Sequence, residues 1–292
     1  TDFGWFPEGL HHRHGEVCCM TDMLELALLL GRHVDASYYA DAERFGRNHL
    51  LEGQFLDLES LRQAVGALPG GAGEPPHGGL YSTIEGVVDS QHGAFASRST
   101  LNDAFHVDAP AMMQCCNAAG TRGLYDLWRY AVDSRPGVGG QPPTHQVNLR
   151  FSVATPGLTV VSREPATGRL DLFASTPSRL RVRLPEGETH AFLGAPGEEV
   201  PAGQGLRLEA REGYVEFELG AAAGQLRYRL RERSADYAVG AGERRAACTG
   251  TWRGETLMRV DPPGTYLPLY RRDLDLPPAP PVQAAGPPID SL

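Results

Sequence analysis

Apolar residues recur at helical spacing through the first part of the chain. "TDMLELALLLGR", residues 21–32, repeats them every three or four positions, with Thr21 or Asp22 suited to the N-terminal turn and Gly31 to the end. "ASYYADAERFGRNHLLEGQF", 36–55, keeps the rhythm through Tyr39, Ala42, Phe45, His49 and Phe55, and a shorter helix is predicted at 57–66. Residues 67–100 are rich in Gly, Pro and His and read as a long loop, a length usually reserved for function or disorder. "CCNAAGTRGLYDLWRYAVDS", 115–134, returns to helical spacing with Leu124, Leu127, Trp128 and Ala131.

"RPGVGGQPPT", 135–144, is dense in turn residues, and beyond it the period becomes two. "VNLRFSV", "LTVV", "LDLF", "LRVRLP", "LRLEA", "YVEFEL", "LRYRL" and "TLMRVDP" read as short strands between Gly/Pro turns, a spacing that predicts an antiparallel sandwich. The expected organisation is α plus β in two domains: a helical part over 1–135, a linker at 136–144, a β-sandwich over 145–271 and a Pro-rich tail over 272–292. The tail holds too little apolar content for a core and is expected to run over the surface. No internal repeat is visible.

With 292 residues the chain is long enough for two domains and a well-buried core. The formal net charge of −9 argues against a nucleic-acid partner. All basic side chains are arginine. The apolar run "MLELALLL", 23–30, falls short of the roughly 18–20 residues a membrane helix needs and is interrupted by Glu25, so no membrane partner is expected. The first residue is Thr1 rather than Met, which leaves a removed leader, or a start partway along a longer protein, open.

Composition alone leaves the chemistry open; the cysteines narrow it. Four of the five form adjacent pairs, Cys18–Cys19 and Cys115–Cys116. An odd count with adjacent pairs is a poor disulfide framework. Reduced thiols fit better and favour a reducing compartment such as the cytoplasm, with the secreted and periplasmic alternatives left open by the missing Met. Both pairs stand where a helix is predicted to begin, and helix N-termini stabilise thiolates. Glu16 and Cys18 are two apart and cannot share one face of a regular helix, but they can converge in the turn that enters it. Two such helix starts and a carboxylate form a four-ligand set suited to zinc; the plainer reading of some of these residues is buried small side chains.

"GEVCCMTDMLELALLLGR", "YYADAERFGRNHLLEGQF" and "QCCNAAGTRGLYDLW" together resemble the bacterial β-L-arabinofuranosidase group of glycoside hydrolases, as do the strand segments "VNLRFSV", "LRVRLPEG" and "GTWRGETLMRVDPPGTYLPLY". The resemblance runs over most of residues 1–271. Its motif is Glu-x-Cys, then Cys-Cys, then an Arg, matched by Glu16, Cys18, Cys115, Cys116 and Arg122. It implies a partial (α/α) helical barrel followed by β-sandwich material, a zinc ion held by Glu16, Cys18, Cys115 and Cys116, and Cys115 as the nucleophile of a retaining glycosidase acting on a carbohydrate. The resemblance is to the C-terminal part of such an enzyme, and the acid is expected upstream of Glu16, near an "FG" pair; it lies outside this chain or is Glu8 or Asp2. Cys19 lies outside the motif and reads as a buried side chain, as does Cys248.

Four helices are too few for a closed barrel, so the helical part is expected to show an exposed apolar flank. Trp5 and Phe6 are open between sugar stacking and core packing. "HHRH", with His11, His12 and His14, is open between a pocket lining, a metal site and a solvated loop. "SQHGAFASRS", 90–99, is a candidate pocket wall, Arg122 a candidate for orienting a carboxylate, and Trp128 a core residue. Two other readings stay open: a catalytically silent sugar-binding relative, and a scaffold stabilised by zinc. The oligomeric state is not legible.

Overall fold

The computed structural model describes residues 1–8, 14–67, 86, 88–105, 113–195, 204–220, 223–239 and 246–272. His11, His12 and nearly all of the Pro-rich tail lie outside these residues. No helix among them is long and apolar enough to cross a membrane.

The periodic first segment forms α1 (Val17–His33), which buries Val17, Met20, Thr21, Leu24, Ala27, Leu28 and Gly31 along one stripe. After a turn in which Asp35 Oδ1 accepts the Ser37 N–H at 2.8 Å, α2 (Tyr38–Phe45) packs back on it. The single helix expected over 36–55 changes pitch at Gly46: Gly46–Leu50 is a π-helical turn. The extra residue per turn points Arg47, Asn48 and His49 inward together, and all three are buried. α3 (Leu58–Ala67) lies one residue from its predicted place and buries Leu61 and Ala64. α4 (Gln114–Ala131) carries the second cysteine pair and ends earlier than its helical spacing predicts.

Two short strands, β1 (Gly15–Glu16) and β2 (Arg98–Ser99), pair antiparallel beside the helices, with Glu16 opposite Arg98. The chain leaves α4 directly into β3 (Val132–Arg135), which pairs with β4 (Thr144–Val147), so the turn-rich stretch between them is a strand connection. β5 (Val153–Ala154), β6 (Leu158–Ser162), β7 (Arg169–Ala174), β8 (Ser178–Arg183), β9 (His190–Gly194), β10 (Leu206–Glu209), β11 (Tyr214–Leu219) and β12 (Ala223–Arg227) follow. They form a six-stranded sheet, β10-β9-β12-β7-β6-β5, and a four-stranded one, β11-β8-β4-β3. The inward residues of both, among them Val160, Leu172 and Leu226 on one and Leu180, Val182 and Val215 on the other, belong to one buried cluster. The antiparallel expectation holds except that β4 and β8 run parallel, because the chain crosses to the other sheet and back between them.

A third sheet, β13 (Glu232–Val239), β14 (Ala246–Arg253) and β15 (Thr256–Asp261), packs elsewhere. Its Trp252, Leu257 and Val260 share a second buried cluster with Phe3, Trp5, Leu61 and Phe105. The main cluster likewise mixes Leu24 and Leu28 of α1 with sheet residues. Buried contacts therefore run across the 136–144 boundary. On the outside, α1 exposes Met23, Leu26 and Leu29, and α4 exposes Tyr125.

Where helices meet sheets, charge is buried. The Glu43 carboxylate, wholly enclosed, takes Arg47 Nε at 2.8 Å, Arg150 at 3.1 Å and the Arg183 guanidinium. Arg150 Nε also reaches Glu164 at 2.8 Å. Burial alone would raise the Glu43 carboxyl, but Arg150, Arg47 and Arg183 outweigh it and hold it at about 2. A carboxyl lowered on folding contributes stability above its unfolded value and loses it as pH falls through the folded one. Denaturant unfolding at stepped pH is therefore expected to show stability falling by about 3 kcal/mol between roughly pH 5 and 2, and Glu43→Ala is expected to cost about 3–5 kcal/mol at neutral pH by stranding buried cations.

Candidate metal and active site

The thiols sit in the first turns of two helices. Cys18 follows Val17 in α1, and Cys115 and Cys116 follow Gln114 in α4. Glu16 and Met113 precede these helices in extended conformation, and neither supplies a capping side chain. The first-turn N–H groups thus keep their pull on negative charge. The helices approach closely because Gly123 faces Thr21 and Leu50; a Cβ there would stand 2.9 Å from a Leu50 methyl. Gly120 similarly admits the Phe95 ring, where a Cβ would stand 2.4 Å away. That contact seats the 94–99 segment on α4, and Asn117 Oδ1 accepts the Phe95 N–H at 2.8 Å.

The result is a trio of sulfurs. Cys18 Sγ lies 3.5 Å from Cys116 Sγ, Cys115 Sγ lies 3.9 Å from Cys116 Sγ, and all three are within 4.8 Å of one another. Two sulfurs each about 2.3 Å from a tetrahedral zinc stand about 3.8 Å apart, so the spacing fits that ion. Cys116 is buried, Cys18 half-buried and Cys115 exposed. Cys116 Sγ also faces the Ser97 carbonyl at 3.6 Å. Burial foremost pushes up both the Cys18 and Cys116 thiols, and neighbouring thiol charge adds to it. Without a cation these sulfurs hold their protons; a metal would replace them.

Carboxylates gather beside the trio. Glu16 is outside the close group of sulfurs, and Arg98 Nε meets its Oε1 at 3.4 Å. The same Nε lies 3.6 Å from Glu8 Oε2, which contacts His14 Nε2 at 2.7 Å. Arg98 thus draws Glu8 and Glu16 to one point. Asp2, the other acid candidate, turns instead to Arg233 of β13 at 3.2 Å.

The remaining candidates fall into place around this centre. Cys19 is half-buried beside the trio but outside it, its thiol raised by burial and then by Glu16, Asp22 and Glu8. Cys248 is buried in the second cluster, its thiol pushed up to about 11 by burial and by Asp236. Arg122 binds Asp22 and, at 3.3 Å, Glu25, so it ties α4 to α1 on the outer side. Trp5 is fully buried with its Nε1–H on the Ser99 carbonyl at 3.0 Å, and Phe6 packs edge-on against Phe45, so both are packing residues. Trp128 is partly buried against the main cluster.

Two residues near the centre escaped sequence reasoning. Arg98 lies within "SQHGAFASRS", but one arginine in a long loop carries no signal of its own. His49 was read only as a helix position; in the π-helical turn it stands between Ser99 Oγ and Tyr270 Oη, each at 3.1 Å, and burial lowers it to about 4. It therefore backs β2 as a neutral imidazole.

The chain matches no family model and no curated protein. Among solved structures it is similar to a GH127 β-L-arabinofuranosidase from Geobacillus stearothermophilus T6, with 13% identity over 88% of this chain and 40% of that one at a TM-score of 0.47. It is also similar to another GH127 β-arabinofuranosidase, with 13% identity over 88% and 40% at 0.48, and to a protein described as a glycoside hydrolase, with 15% identity over 84% and 37% at 0.46. The chain spans about two fifths of the length of these structures.

Proposed function

We propose that the chain carries the zinc–thiolate centre of a retaining glycoside hydrolase. The observation that carries this reading is the convergence of Cys18, Cys115 and Cys116, 97 and 98 residues apart, at spacings suited to a tetrahedral ion. Those three are the cysteines of the Glu-x-Cys and Cys-Cys motif, whose resemblance supports an L-arabinofuranoside as the substrate. Cys18, Cys115 and Cys116 hold the ion, with Glu16, the carboxylate of the Glu-x-Cys motif, as the fourth ligand. Bound zinc supplies the positive charge that keeps the thiols deprotonated at neutral pH.

Cys115 is the nucleophile, because its exposure is what an attacking sulfur needs while Cys116 is enclosed. Its sulfur bonds to the anomeric carbon as the glycosidic C–O bond breaks. Glu8, whose Oε2 lies 2.7 Å from His14 Nε2, acts as the acid and gives a proton to the leaving oxygen. Water then attacks the anomeric carbon, the C–S bond breaks, and the water's proton returns to Glu8. Glu8 is preferred over Asp2 because it shares Arg98 with Glu16. The helices form part of an α/α barrel, a reading the apolar flank of α1 supports, and the two larger sheets form a β-sandwich.

The test is zinc content of the purified protein together with hydrolysis of a panel of aryl glycosides. The expected result is about one zinc per chain and cleavage of aryl L-arabinofuranosides that a strong chelator abolishes and zinc restores. Cleavage that persists in metal-free protein would defeat the reading.

A further inference from the structure

We infer that Arg98 is the positioning residue of this centre, joining the proposed metal ligand Glu16 to Glu8, the proposed acid. The inference rests on the zinc reading above. Arg98 Nε lies 3.4 Å from Glu16 Oε1 and 3.6 Å from Glu8 Oε2. It meets Glu16 through Oε1 alone. A ligating carboxylate is fixed by whatever binds its other oxygen, and such outer partners set both the ligand's aim and its charge.

Electrostatics point the same way. A zinc ion held by three thiolates and a carboxylate carries two surplus negative charges. Glu8 adds a third once it has given up its proton. A guanidinium beside both carboxylates offsets that repulsion, with Glu16 17%, Arg98 29% and Glu8 32% exposed. Arginine's charge persists at all working pH values, so the offset does not depend on conditions.

The backbone that carries Arg98 is held from three sides. Glu16 and Arg98 are direct partners across β1 and β2. The preceding Ser97 accepts the Met113 N–H through Oγ at 2.6 Å, just before the cysteines of α4, and its carbonyl faces Cys116. The following Ser99 is held by His49 through its hydroxyl and by Trp5 through its carbonyl. The guanidinium thus has a fixed origin, as a group that aims another residue requires.

The experiment measures zinc affinity, by competition with a chromophoric chelator, for the wild type, Arg98→Gln, Arg98→Lys and Cys116→Ser. Melting temperatures in excess chelator report the metal-free fold of each. Arg98→Gln is expected to weaken zinc binding about 10- to 100-fold with a metal-free melting temperature close to wild type. Arg98→Lys, which keeps the charge but not the shared Nε, is expected to weaken it by about 3- to 10-fold, a partial rescue that loss of packing alone would not give. Affinities within twofold of wild type in both variants, while Cys116→Ser loses zinc, would overturn the inference and leave the zinc reading standing. Should Arg98→Gln fail to fold, Arg98→Lys decides alone: wild-type affinity overturns the inference. A wild-type protein that binds no zinc would remove the reading beneath it.

Discussion

Cys115→Ser is expected to lower glycoside hydrolysis by about 10⁴- to 10⁶-fold, the scale seen when an enzyme loses its nucleophile, while zinc stays bound. Cys115 and Cys116 are successive residues in the first turn of α4, so their side chains point about 100° apart around the helix axis. Cys116 points inward, against Cys18 Sγ and the Ser97 carbonyl. Cys115 remains 3.9 Å from Cys116 yet is exposed. One sulfur can therefore reach both an ion and a substrate, and the other only the ion. A serine hydroxyl at 115 does not ionise beside the metal as a thiol does, which removes the attacking group. Cys18, Cys116 and Glu16 still offer ligands, so metal analysis of the same sample should show zinc retained, if more weakly. Hydrolysis rates and zinc content measured side by side check this; a Cys115→Ser protein with wild-type activity would leave the sulfur cluster a purely structural site.

Cys116→Ser is expected to do the opposite in order of events: the metal goes first, and activity and stability follow. Cys116 is the central sulfur, with both other thiols within 4 Å. Its replacement leaves Cys18 and Cys115 without their shared neighbour. Anything that binds the folded state alone stabilises it by mass action, about 2.7 kcal/mol at a ligand concentration of 100 times Kd. In wild type, chelation should therefore lower the melting temperature by several degrees. In Cys116→Ser, the melting temperature should already be low and should not respond to chelator or to added zinc. A zinc-dependent rise equal to that of wild type would show that Cys116 is not a ligand.

The contrast between the two variants depends on burial, which the chain's local pattern does not reveal. That pattern did expose the helix starts. Apolar spacing within α1 and α4 follows from one side of each helix facing the core, so Val17, Met20, Leu24 and Leu28, and Leu127 with Ala131, announce their elements from local sequence. It also put the thiols at helix entries, though α1 begins at Val17, ahead of the expected Thr21 or Asp22, so Cys18 lies within its first turn. The change to a period of two after residue 144 anticipated most strands for the same reason. β13 escaped because its faces are largely exposed and it opens on three exposed polar residues, Glu232–Ser234, before any alternation begins. The π-helical turn escaped because its cause is remote: Asn48 donates to the Glu255 carbonyl at 3.0 Å, and His49 faces Ser99 and Tyr270.

What the sequence by itself determined is therefore local: which segments are helix or strand, which face of each is apolar, and that thiols and a carboxylate stand at helix entries. What only the tertiary structure decided is which of these groups meet. Cys18 touches Cys116, Arg98 gathers Glu8 and Glu16, Asp2 departs to Arg233, and Glu43 is enclosed by the distant Arg150 and Arg183. The physical reason is range. Periodicity records the environment of each residue within a few positions along the chain, whereas a site is made by packing across about a hundred residues. That packing turns on close approaches, such as Gly120 against Phe95 and Gly123 against Thr21, that leave no periodic trace.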